Sequence, residues 1–477
     1  MTLKNYIAGQ WQEPAQALGE SVRDANTGAA LFEQRASSAE QIEQAIALAA
    51  QTHAQGQWQR MSADEQSALL IRVAEEIEQR GEAIAVADAQ STGVITRLTS
   101  KFVLLCAGAF RQAAELAANP PQPVAKDGPH GPLAIERLPL GPAAIIAPWN
   151  APAGIAAHKV ASALAAGCPV LLKPSEWAPQ SAQVLTEAAA AAGMPAGMWQ
   201  LLHGAGDTGA ALVADDRVRA VSFTGGLAGG RAVAAACAQG IKPAQLELGG
   251  NNPLVVLADA DVDVVAAGVV TALTTLNGQW CRALGRLLIH ESLVQPVLAR
   301  VKEKLAQVVL GSSMSTDSQM GPLVSRRHRD HVAERVSALQ AKGGELHQVT
   351  SLPEAEGWFF PPTLITGLEA TESIEEIFGP VAAVHSFSDD EAAVALANQT
   401  PFGLAAYVFG SEDHAWSVAR QLRAGLIKIN AVTMLNLHPQ APRPAWGLSG
   451  LGDEGTVETF EFFRGTRVIG VAGRVGG

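Results

Sequence analysis

The alternation of short apolar strands with alanine-rich helices between residues 143 and 254 constrains the fold more than any other feature of the sequence. Four apolar runs, at residues 143–149, 169–173, 199–203 and 220–224, are each followed by a stretch of helical composition. A strand–helix–strand order makes successive strands parallel, because the helix returns the chain to the same edge of the sheet. Strands that are apolar throughout are buried on both faces. The segment therefore predicts a parallel sheet covered by helices on both sides.

The chain is too long for a single hydrophobic core, since 477 residues exceed the size at which one core stops growing. A second α/β unit begins near residue 254, and we expect an α/β fold with two Rossmann-like parallel-sheet domains and a small β arm. The expected boundaries are 1–117 and 139–246, with about 436–454 returning, for the first domain, 247–435 for the second, and 118–138 and 455–477 for the arm. An exposed edge strand favours pairing with another chain, so we expect the arm to contact other subunits.

Charge and cysteine content exclude several classes of partner. A net charge of −12 and an isoelectric point near 5.4, without a run of lysines or arginines, argue against nucleic acid and anionic membranes. The first residues lack a signal-peptide pattern, and no apolar run is long enough to span a bilayer. Four scattered cysteines suit a reducing compartment, and no cysteine or histidine cluster predicts a metal site. We expect a cytoplasmic protein without a bound metal.

Polar motifs follow three of the predicted strands. Residues 148–150 read Pro-Trp-Asn, residues 173–176 read Lys-Pro-Ser-Glu, and residues 223–226 read Phe-Thr-Gly-Gly. Ligands of open parallel sheets bind at the carboxyl ends of the strands, and glycines before a helix let the backbone approach a phosphate. The combination predicts a dinucleotide site at this edge of the sheet.

Cys281 differs from the other cysteines in its neighbours. It lies between Gly278-Gln279 and Arg282, whereas the others are surrounded by alanine and other apolar residues. These other cysteines are Cys106, Cys168 and Cys237. A thiol that a small molecule can reach, and that a cation holds partly as thiolate, suits a nucleophile. The alternative is that Cys281 is chemically inert, as most intracellular cysteines are.

Taken in order, the motifs resemble those of the aldehyde dehydrogenase superfamily over nearly the whole chain. Besides the three strand-end motifs, the resemblance rests on Glu-Leu-Gly-Gly at 247–250, Gly-Gln-x-Cys at 278–281 and Glu-Glu-Ile-Phe-Gly-Pro at 375–380. It implies an enzyme that oxidises a small-molecule aldehyde to the carboxylic acid with NAD, or with NADP as the alternative. It also implies a homodimer or homotetramer.

The resemblance implies a role for each matching residue. Cys281 would be the nucleophile, Glu247 the base that activates water, and Asn150, with the backbone amide of Cys281, the oxyanion site. The implied cofactor-binding residues are Ala147, Pro148, Trp149, Lys173, Ser175, Glu176, Gly206, Phe223, Thr224, Gly225, Gly226, Leu248, Gly249, Glu376 and Phe378. Among these, Lys173 and Glu176 would hold the adenosine ribose.

The resemblance also implies which part of the dinucleotide several other residues would contact. Trp149 and Gly206 would line the adenosine side, Gly225 would approach the pyrophosphate, and Glu376, with Phe378 beside it, would hold the nicotinamide ribose. Because Glu176 should accept hydrogen bonds from a free ribose hydroxyl and repel a 2′-phosphate, we expect NAD to be preferred.

Departures from the family pattern concern the cofactor and the substrate. Gly226 stands where many members have serine, and residues 445–450 lack the lysine of the usual C-terminal motif. The candidate substrate residues are Ala151, Gly154, Trp280 and Arg282. The small side chains at two of these positions suggest a roomy pocket. Arg282 would either pair within the protein or bind a substrate carboxylate.

Structural alternatives remain open for most site residues at this stage. Asn150 could cap the helix after Pro152, and Glu247 could belong to a salt bridge. Lys173 and Glu176 could form a solvated pair, and Glu376 could lie in an exposed acidic turn. The functional alternatives are a coenzyme A-acylating semialdehyde dehydrogenase and a catalytically silent binding protein on the same fold.

Overall fold

A computed structural model describes residues 2–120, 123–128, 131–434 and 437–471. Short pieces of the predicted arm, at 121–122, 129–130 and 472–477, lie outside the described residues, as does the predicted boundary at 435–436. Within the described residues, no helix has both the length and the apolar character needed to cross a bilayer.

The N-terminal part of the chain forms two hairpins, a layer of helices and two strands of the arm. Its elements are β1 (Asn5–Ile7), β2 (Gln10–Gln12), β3 (Gln16–Arg23), β4 (Ala30–Ala36), α1 (Ala39–Ala54), α2 (Ala63–Gln79), α3 (Gly81–Thr92), α4 (Thr96–Ala118), β5 (Val124–Gly128) and β6 (Gly131–Pro139). Capping boxes at Ser38 and Ser62 begin α1 and α2, because each serine accepts from a backbone N–H that the helix leaves unpaired.

The predicted βα alternation builds the first sheet. Its elements are β7 (Ala143–Ile146), α5 (Pro152–Ala165), β8 (Val170–Lys173), α6 (Gln180–Ala191), β9 (Trp199–Leu201), α7 (Gly206–Ala214), β10 (Ala220–Thr224), α8 (Leu227–Gln239) and β11 (Ala244–Glu247). The strand order β9-β8-β7-β10-β11 is parallel throughout. β1 and β2 extend one edge of this sheet with antiparallel pairing.

A second sheet follows directly. Its part of the chain contains β12 (Asn252–Val256), α9 (Val262–Thr274), β13 (Leu284–His290), α10 (Val294–Ala306), α11 (Arg326–Ala341), β14 (Glu345–His347), β15 (Thr363–Thr366), β16 (Val381–Phe387), α12 (Asp390–Ala397), β17 (Phe402–Gly403), β18 (Ala405–Phe409), α13 (Glu412–Ala419) and β19 (Leu426–Ile429). The order is β14-β15-β16-β13-β12-β18-β19, with only β14 antiparallel. The predicted α/β class with two parallel sheets is therefore confirmed.

The C-terminal segment returns to earlier parts of the chain. It contains β20 (Arg443–Pro444), β21 (Trp446–Gly447), β22 (Gly450–Leu451), β23 (Asp453–Glu454), α14 (Thr456–Phe462) and β24 (Arg464–Gly470). β22 pairs antiparallel with β11 at the edge of the first sheet. β24 pairs with β6, which pairs with β5, in a separate three-stranded sheet.

The loop between α9 and β13, residues 275–283, is held by side chains that bond to backbone groups. Asn277 has a positive φ of 58°, and its amide donates to the carbonyls of Gly93 and Pro322 at 2.8 Å each. Its oxygen accepts from the N–H of Gly321 at 2.9 Å. At Gly278, a Cβ would lie 2.3 Å from the nitrogen of Pro380, so only glycine fits. The loop is thereby fixed to segments from both halves of the chain.

Replacing Asn277 should loosen this loop. Asn277→Gly keeps the backbone free to adopt positive φ but leaves buried groups unpaired, so it should cost about 2–4 kcal/mol. Asn277→Ala should cost about 1 kcal/mol more, because a left-handed conformation is strained for residues with a Cβ. Thermal unfolding followed by circular dichroism would measure both. An unfolding temperature of the glycine variant equal to that of the wild type would show that these bonds do not hold the loop.

Candidate active site

The three predicted catalytic side chains come from distant parts of the chain. Glu247 is the last residue of β11, Asn150 follows β7, and Cys281 lies in the loop between α9 and β13. The carboxyl ends of β7 and β11 open on the same edge of the first sheet, because both strands are parallel to β10, which lies between them. The fold therefore brings this set together at the edge where ligands of such sheets bind.

Cys281 is the one partly exposed cysteine among the four, all of which are free thiols. Burial raises the pKa of its thiol to about 12, and Arg282 lowers it by less than burial raises it. The carboxylates of Glu247, Glu376 and Glu454 also contribute to this raised pKa. Arg282 thus acts on the thiol in the expected direction, but its effect on the pKa is smaller than that of burial, so a base that removes the proton would help the sulfur to attack.

Glu247 is buried, and its Oε1 atom has no hydrogen-bond partner. Among the described residues it has no cation within 4.0 Å, so the salt-bridge alternative fails. Burial raises the pKa of its carboxyl, and so does the charge of Glu454, against smaller effects of nearby cations. A carboxylate without a partner in such surroundings binds a proton more readily than an exposed glutamate does.

Glu454, unlike Glu247, lies next to two cations. Lys159 Nζ lies 3.4 Å from its Oε1 and Arg443 Nη2 lies 3.2 Å from its Oε2. Although burial opposes ionisation, Arg443, Lys159 and His158 hold the pKa of Glu454 far below its ordinary value. Nothing in the local sequence marks these residues, because Lys159 is on α5 and Glu454 is in the C-terminal segment. The pairing of β22 with β11, together with the bond from Gln245 Nε2 to the carbonyl of Asp453, brings the segment to the site.

Asn150 is buried, and its Nδ2 donates to the carbonyl of Gln279 at 2.9 Å. The N-cap of α5 is Ala151, and no side chain caps that helix. The helix-capping alternative for Asn150 is therefore wrong. A side-chain amide carries two N–H donors, so one remains for an oxygen bound near the cysteine loop.

The predicted cofactor residues lie at the strand ends of the first sheet. Thr224 Oγ1 is buried without a partner, and α8 begins after Gly226, where no side chain caps the free N–H groups. A Cβ on Gly225 would lie 2.6 Å from the Phe223 ring. Unpaired donors at a helix N-terminus beside a glycine fit a pyrophosphate, so these residues suit a dinucleotide.

The adenosine-ribose pair is not solvated. Lys173 is buried, and its Nζ lies 3.4 Å from Glu176 Oε2, so the solvated-pair alternative is wrong. Burial lowers the pKa of Lys173, and Glu176 opposes that change. The remaining positions are Ala147 and Pro148 after β7, Ser175 after β8, Gly206 at the start of α7, and Leu248, whose N–H donates to Ser449.

Glu376 turns inward over Gly249 and Gly250. Its Oε1 accepts from the N–H of Gly250 at 2.9 Å, and burial raises the pKa of its carboxyl to about 7. The exposed-turn alternative for Glu376 is therefore wrong. A Cβ on Gly249 would lie 1.8 Å from Glu376 Oε2, so the absence of a side chain at Gly249 makes room for this carboxyl.

Trp149 and Phe378 lie together, with ring centroids 5.4 Å apart. The ring of His328 contacts both, at 5.3 Å from Trp149 and 6.2 Å from Phe378. Trp149 also stacks on Trp177, the residue after Glu176, with ring centroids 6.5 Å apart. Trp149 therefore lies between residues expected at the two ends of the dinucleotide, and its place on the adenosine side stays a prediction.

Two of the four candidate substrate residues pack with the thiol of Cys281. Trp280 and Ala151 pack with Phe102 and Cys281 in one apolar cluster, and a Cβ on Gly154 would meet nothing within 4 Å. Arg282 is partly exposed, and its backbone carbonyl accepts from Tyr407 Oη at 2.7 Å. The site is thus mainly apolar, with one guanidinium next to the nucleophile.

Two parallel sheets, strand ends suited to a dinucleotide, and a cysteine close to a buried carboxyl and an amide donor define a class of protein. They suit a dehydrogenase that works through a covalent bond to cysteine. The sequence profile of the aldehyde dehydrogenase family matches residues 11–469, and the chain belongs to this family. It is accordingly an NAD(P)-dependent enzyme that oxidises aldehydes to acids.

Named relatives and solved structures agree with this assignment. The chain is 32% identical to phenylacetaldehyde dehydrogenase of Pseudomonas fluorescens, over 98% of this chain and 95% of the relative. It is 32% identical to the non-phosphorylating aspartate-semialdehyde dehydrogenase of Halomonas elongata, over 99% and 96%. The crystal structure of betaine aldehyde dehydrogenase from Staphylococcus aureus with NAD+ matches with a TM-score of 0.94 and 28% identity, over 98% and 94%.

A methyl group on Gly249 should displace the carboxyl of Glu376. The end of a glutamate side chain moves easily, so Gly249→Ala should fold normally but raise KM for NAD by about tenfold, as expected for a lost charged hydrogen bond. Steady-state kinetics at varied NAD would measure this. Gly108→Ala is the matched control, because a Cβ there meets nothing within 4 Å. An unchanged KM in the Gly249 variant would remove Glu376 from the cofactor site.

Proposed function

We propose that Cys281, Glu247 and Asn150 carry out the oxidation, with Cys281 forming a covalent bond to the substrate. The overall reaction is RCHO + NAD+ + H2O → RCOO− + NADH + 2 H+. When bound, the nicotinamide supplies a hydride acceptor. We also propose that the chain divides into a dinucleotide-binding domain and a catalytic domain at the boundary after residue 246, so that Glu247, the last residue of β11, lies at this boundary.

In the first step, the sulfur of Cys281 attacks the aldehyde carbon after its proton is removed. The attack turns the carbonyl oxygen into an alkoxide, which the free N–H of Asn150 and the backbone N–H of Cys281 would stabilise. Loss of hydride from this tetrahedral carbon leaves a thioester on Cys281. The fixed position of Asn150, whose amide is bound to Gln279, supports this role because a preorganised donor needs no rearrangement as the charge develops.

In the second step, Glu247 takes a proton from water, which then attacks the thioester and releases the acid and the thiol. The single observation that carries the proposal is the unpaired, buried Oε1 of Glu247. The pKa of this carboxyl is raised, and its charge in turn raises the pKa of the Cys281 thiol. A general base works best when its pKa lies close to the working pH. The same carboxylate is also suited to accept the thiol proton in the first step.

The presence of this base favours hydrolysis over transfer to coenzyme A. A thiol acceptor is a good nucleophile without a base, whereas water attacks thioesters slowly. A catalytically silent protein would have no need to keep an unpaired carboxyl buried next to a thiol, because such a group costs stability.

We propose NAD rather than NADP as the preferred cofactor. Glu176 stays next to the buried Lys173, which is already engaged with it at 3.4 Å. Lys173 is therefore only partly available to a 2′-phosphate, which the carboxylate of Glu176 would repel.

We further propose a cytoplasmic homodimer or homotetramer. The four free thiols suit a reducing compartment. β24 is the outer strand of the three-stranded sheet, and Val468 and Ile469 on it are 62% and 51% exposed. An exposed apolar edge strand is a surface that soluble proteins normally cover.

Glu247→Gln should separate the two chemical steps. The variant should release up to one NADH per subunit and then turn over about a hundredfold to ten-thousandfold more slowly, because deacylation lacks its base. The first release should itself be slower than in the wild type, to the extent that Glu247 also accepts the thiol proton. Mass spectrometry should detect the acyl group on Cys281. In the wild type the steady-state rate should rise with pH above the ordinary range of a glutamate, because the base acts deprotonated, and this rise should vanish in the variant.

Cys281→Ala is the control for this experiment and should give neither this first release of NADH nor an adduct. Two results would contradict the hydrolytic mechanism. One is an undiminished steady-state rate in Glu247→Gln, and the other is a wild-type enzyme that turns over only with coenzyme A.

Charged residues on β24 should weaken the proposed assembly. Val468→Lys with Ile469→Lys should lower the molar mass measured by light scattering during gel filtration, because lysines on an edge strand oppose pairing. Leu352→Lys, at a residue that is 54% exposed, is the control and should leave the mass unchanged. A monomeric wild type, or a double variant with the wild-type mass, would refute this interface.

A further inference from the structure

Arg282 has a buried donor without an acceptor. Its Nε atom is inaccessible and has no hydrogen-bond partner, and among the described residues no carboxylate lies within 4.0 Å of its guanidinium. Two neighbouring arginines are fully engaged by contrast. Arg286 donates to the carbonyls of Leu396 and Ala397 at 2.8 Å, and Arg443 pairs with Glu454. Because an unpaired buried donor lowers stability, the alternative that Arg282 serves a structural pairing is not supported.

The backbone of Arg282 is fixed, although its side chain is not paired. Tyr407 Oη donates to its carbonyl, and Asn252 Nδ2 donates to the carbonyls of Cys281 and Ala283, at 2.9 and 2.8 Å. These bonds hold residues 281–283 in one conformation. The Cα atom of Arg282, from which its side chain extends, is therefore held in place next to Cys281.

The charge of Arg282 acts inside the site. It lowers the pKa of Glu247, of Glu454 and of the Cys281 thiol. Burial, with a smaller contribution from Arg282, lowers the pKa of Lys428 to about 8. Lys159 and Arg443 are already paired with Glu454, whereas the guanidinium of Arg282 has no carboxylate of the described residues within 4.0 Å.

The residues that pack against Cys281 in the apolar cluster carry no charge. Trp280, Ala151, Phe102 and Met434 are apolar, and Gly154 leaves open space. A guanidinium in such surroundings is suited to a ligand carboxylate, whose two oxygens match its donors.

We propose that Arg282 binds a carboxylate of the substrate, so that the preferred substrates are short aldehydes that carry a carboxylate at the far end. This inference rests on the proposed role of Cys281, since it takes the aldehyde carbon to be bonded to that sulfur. The two side chains extend from adjacent Cα atoms, about 3.8 Å apart, which favours an aldehyde and a carboxylate separated by only a few carbon atoms.

The test compares two aldehydes of equal chain length, 5-oxopentanoate and pentanal. Arg282→Gln should lower kcat/KM for 5-oxopentanoate by about tenfold to a hundredfold, mainly through KM, because a charged hydrogen-bonded pair is lost. The value for pentanal should change by less than about threefold. Arg282→Lys keeps the charge without the two-pronged geometry and should fall between. Arg423→Gln, at an exposed arginine outside the site, is the matched control.

A binding measurement avoids any dependence on turnover. Glutarate has the same chain length and two carboxylates, and calorimetry should detect its binding to Cys281→Ala and a loss of at least about tenfold in the Cys281→Ala, Arg282→Gln double variant. The single variant keeps Arg282 but cannot react, so the comparison reports on the guanidinium alone.

The possible failures are distinguishable. An equal loss for both aldehydes would mean that Arg282 acts on the thiol and not on the substrate, and a wild-type preference for pentanal would overturn the inference outright. In both cases the NADH burst and the adduct on Cys281 would still support the proposed function. If no aldehyde forms an adduct on Cys281, the proposed function fails as well.

Discussion

The unequal surroundings of two buried carboxyls, Glu247 and Glu454, set the chemistry that this site can perform. Both are withdrawn from water, which by itself favours their protonated forms. Lys159 and Arg443 compensate Glu454 and keep it charged. That charge in turn raises the pKa of Glu247, which has no cation of its own. Surroundings that make the pKa values of two carboxyls differ in this way give the carboxyls separate roles. Here Glu247, the carboxyl without a cation, is available to exchange protons.

This arrangement requires that the thiol stay at a fixed distance from the carboxyl, and side chains bonded to backbone groups provide that constraint. Asn277 ties the loop to the helical layer and to the segment near Pro322. Asn252 and Asn150 hold the carbonyls on either side of Cys281. Amide side chains suit this task because each offers both donors and an acceptor without carrying a charge that would alter the neighbouring pKa values.

Much of the fold and part of the site follow from local sequence. The βα alternation predicts the first sheet because a buried parallel strand must be apolar throughout, and the strand ends carry the polar motifs directly. The family profile confirms the class of enzyme and its use of NAD(P). The surroundings of the side chains could not be predicted in the same way. The cap of α5, the inward turn of Glu376 and the contact of Trp149 with Phe378 all depend on residues that are distant in the chain.

The sequence by itself determined the order of the elements, the position of each polar group at a strand end and the choice of Cys281 over three cysteines in apolar surroundings. These properties depend on residue type and spacing, which are local. Only the tertiary structure decided the burial that raises the pKa of Cys281, the pairing of Glu454 and the lack of a partner for Arg282 Nε. A pKa or an unsatisfied donor depends on every group within several ångströms, and those groups come here from α5, the loop before β13 and the C-terminal segment.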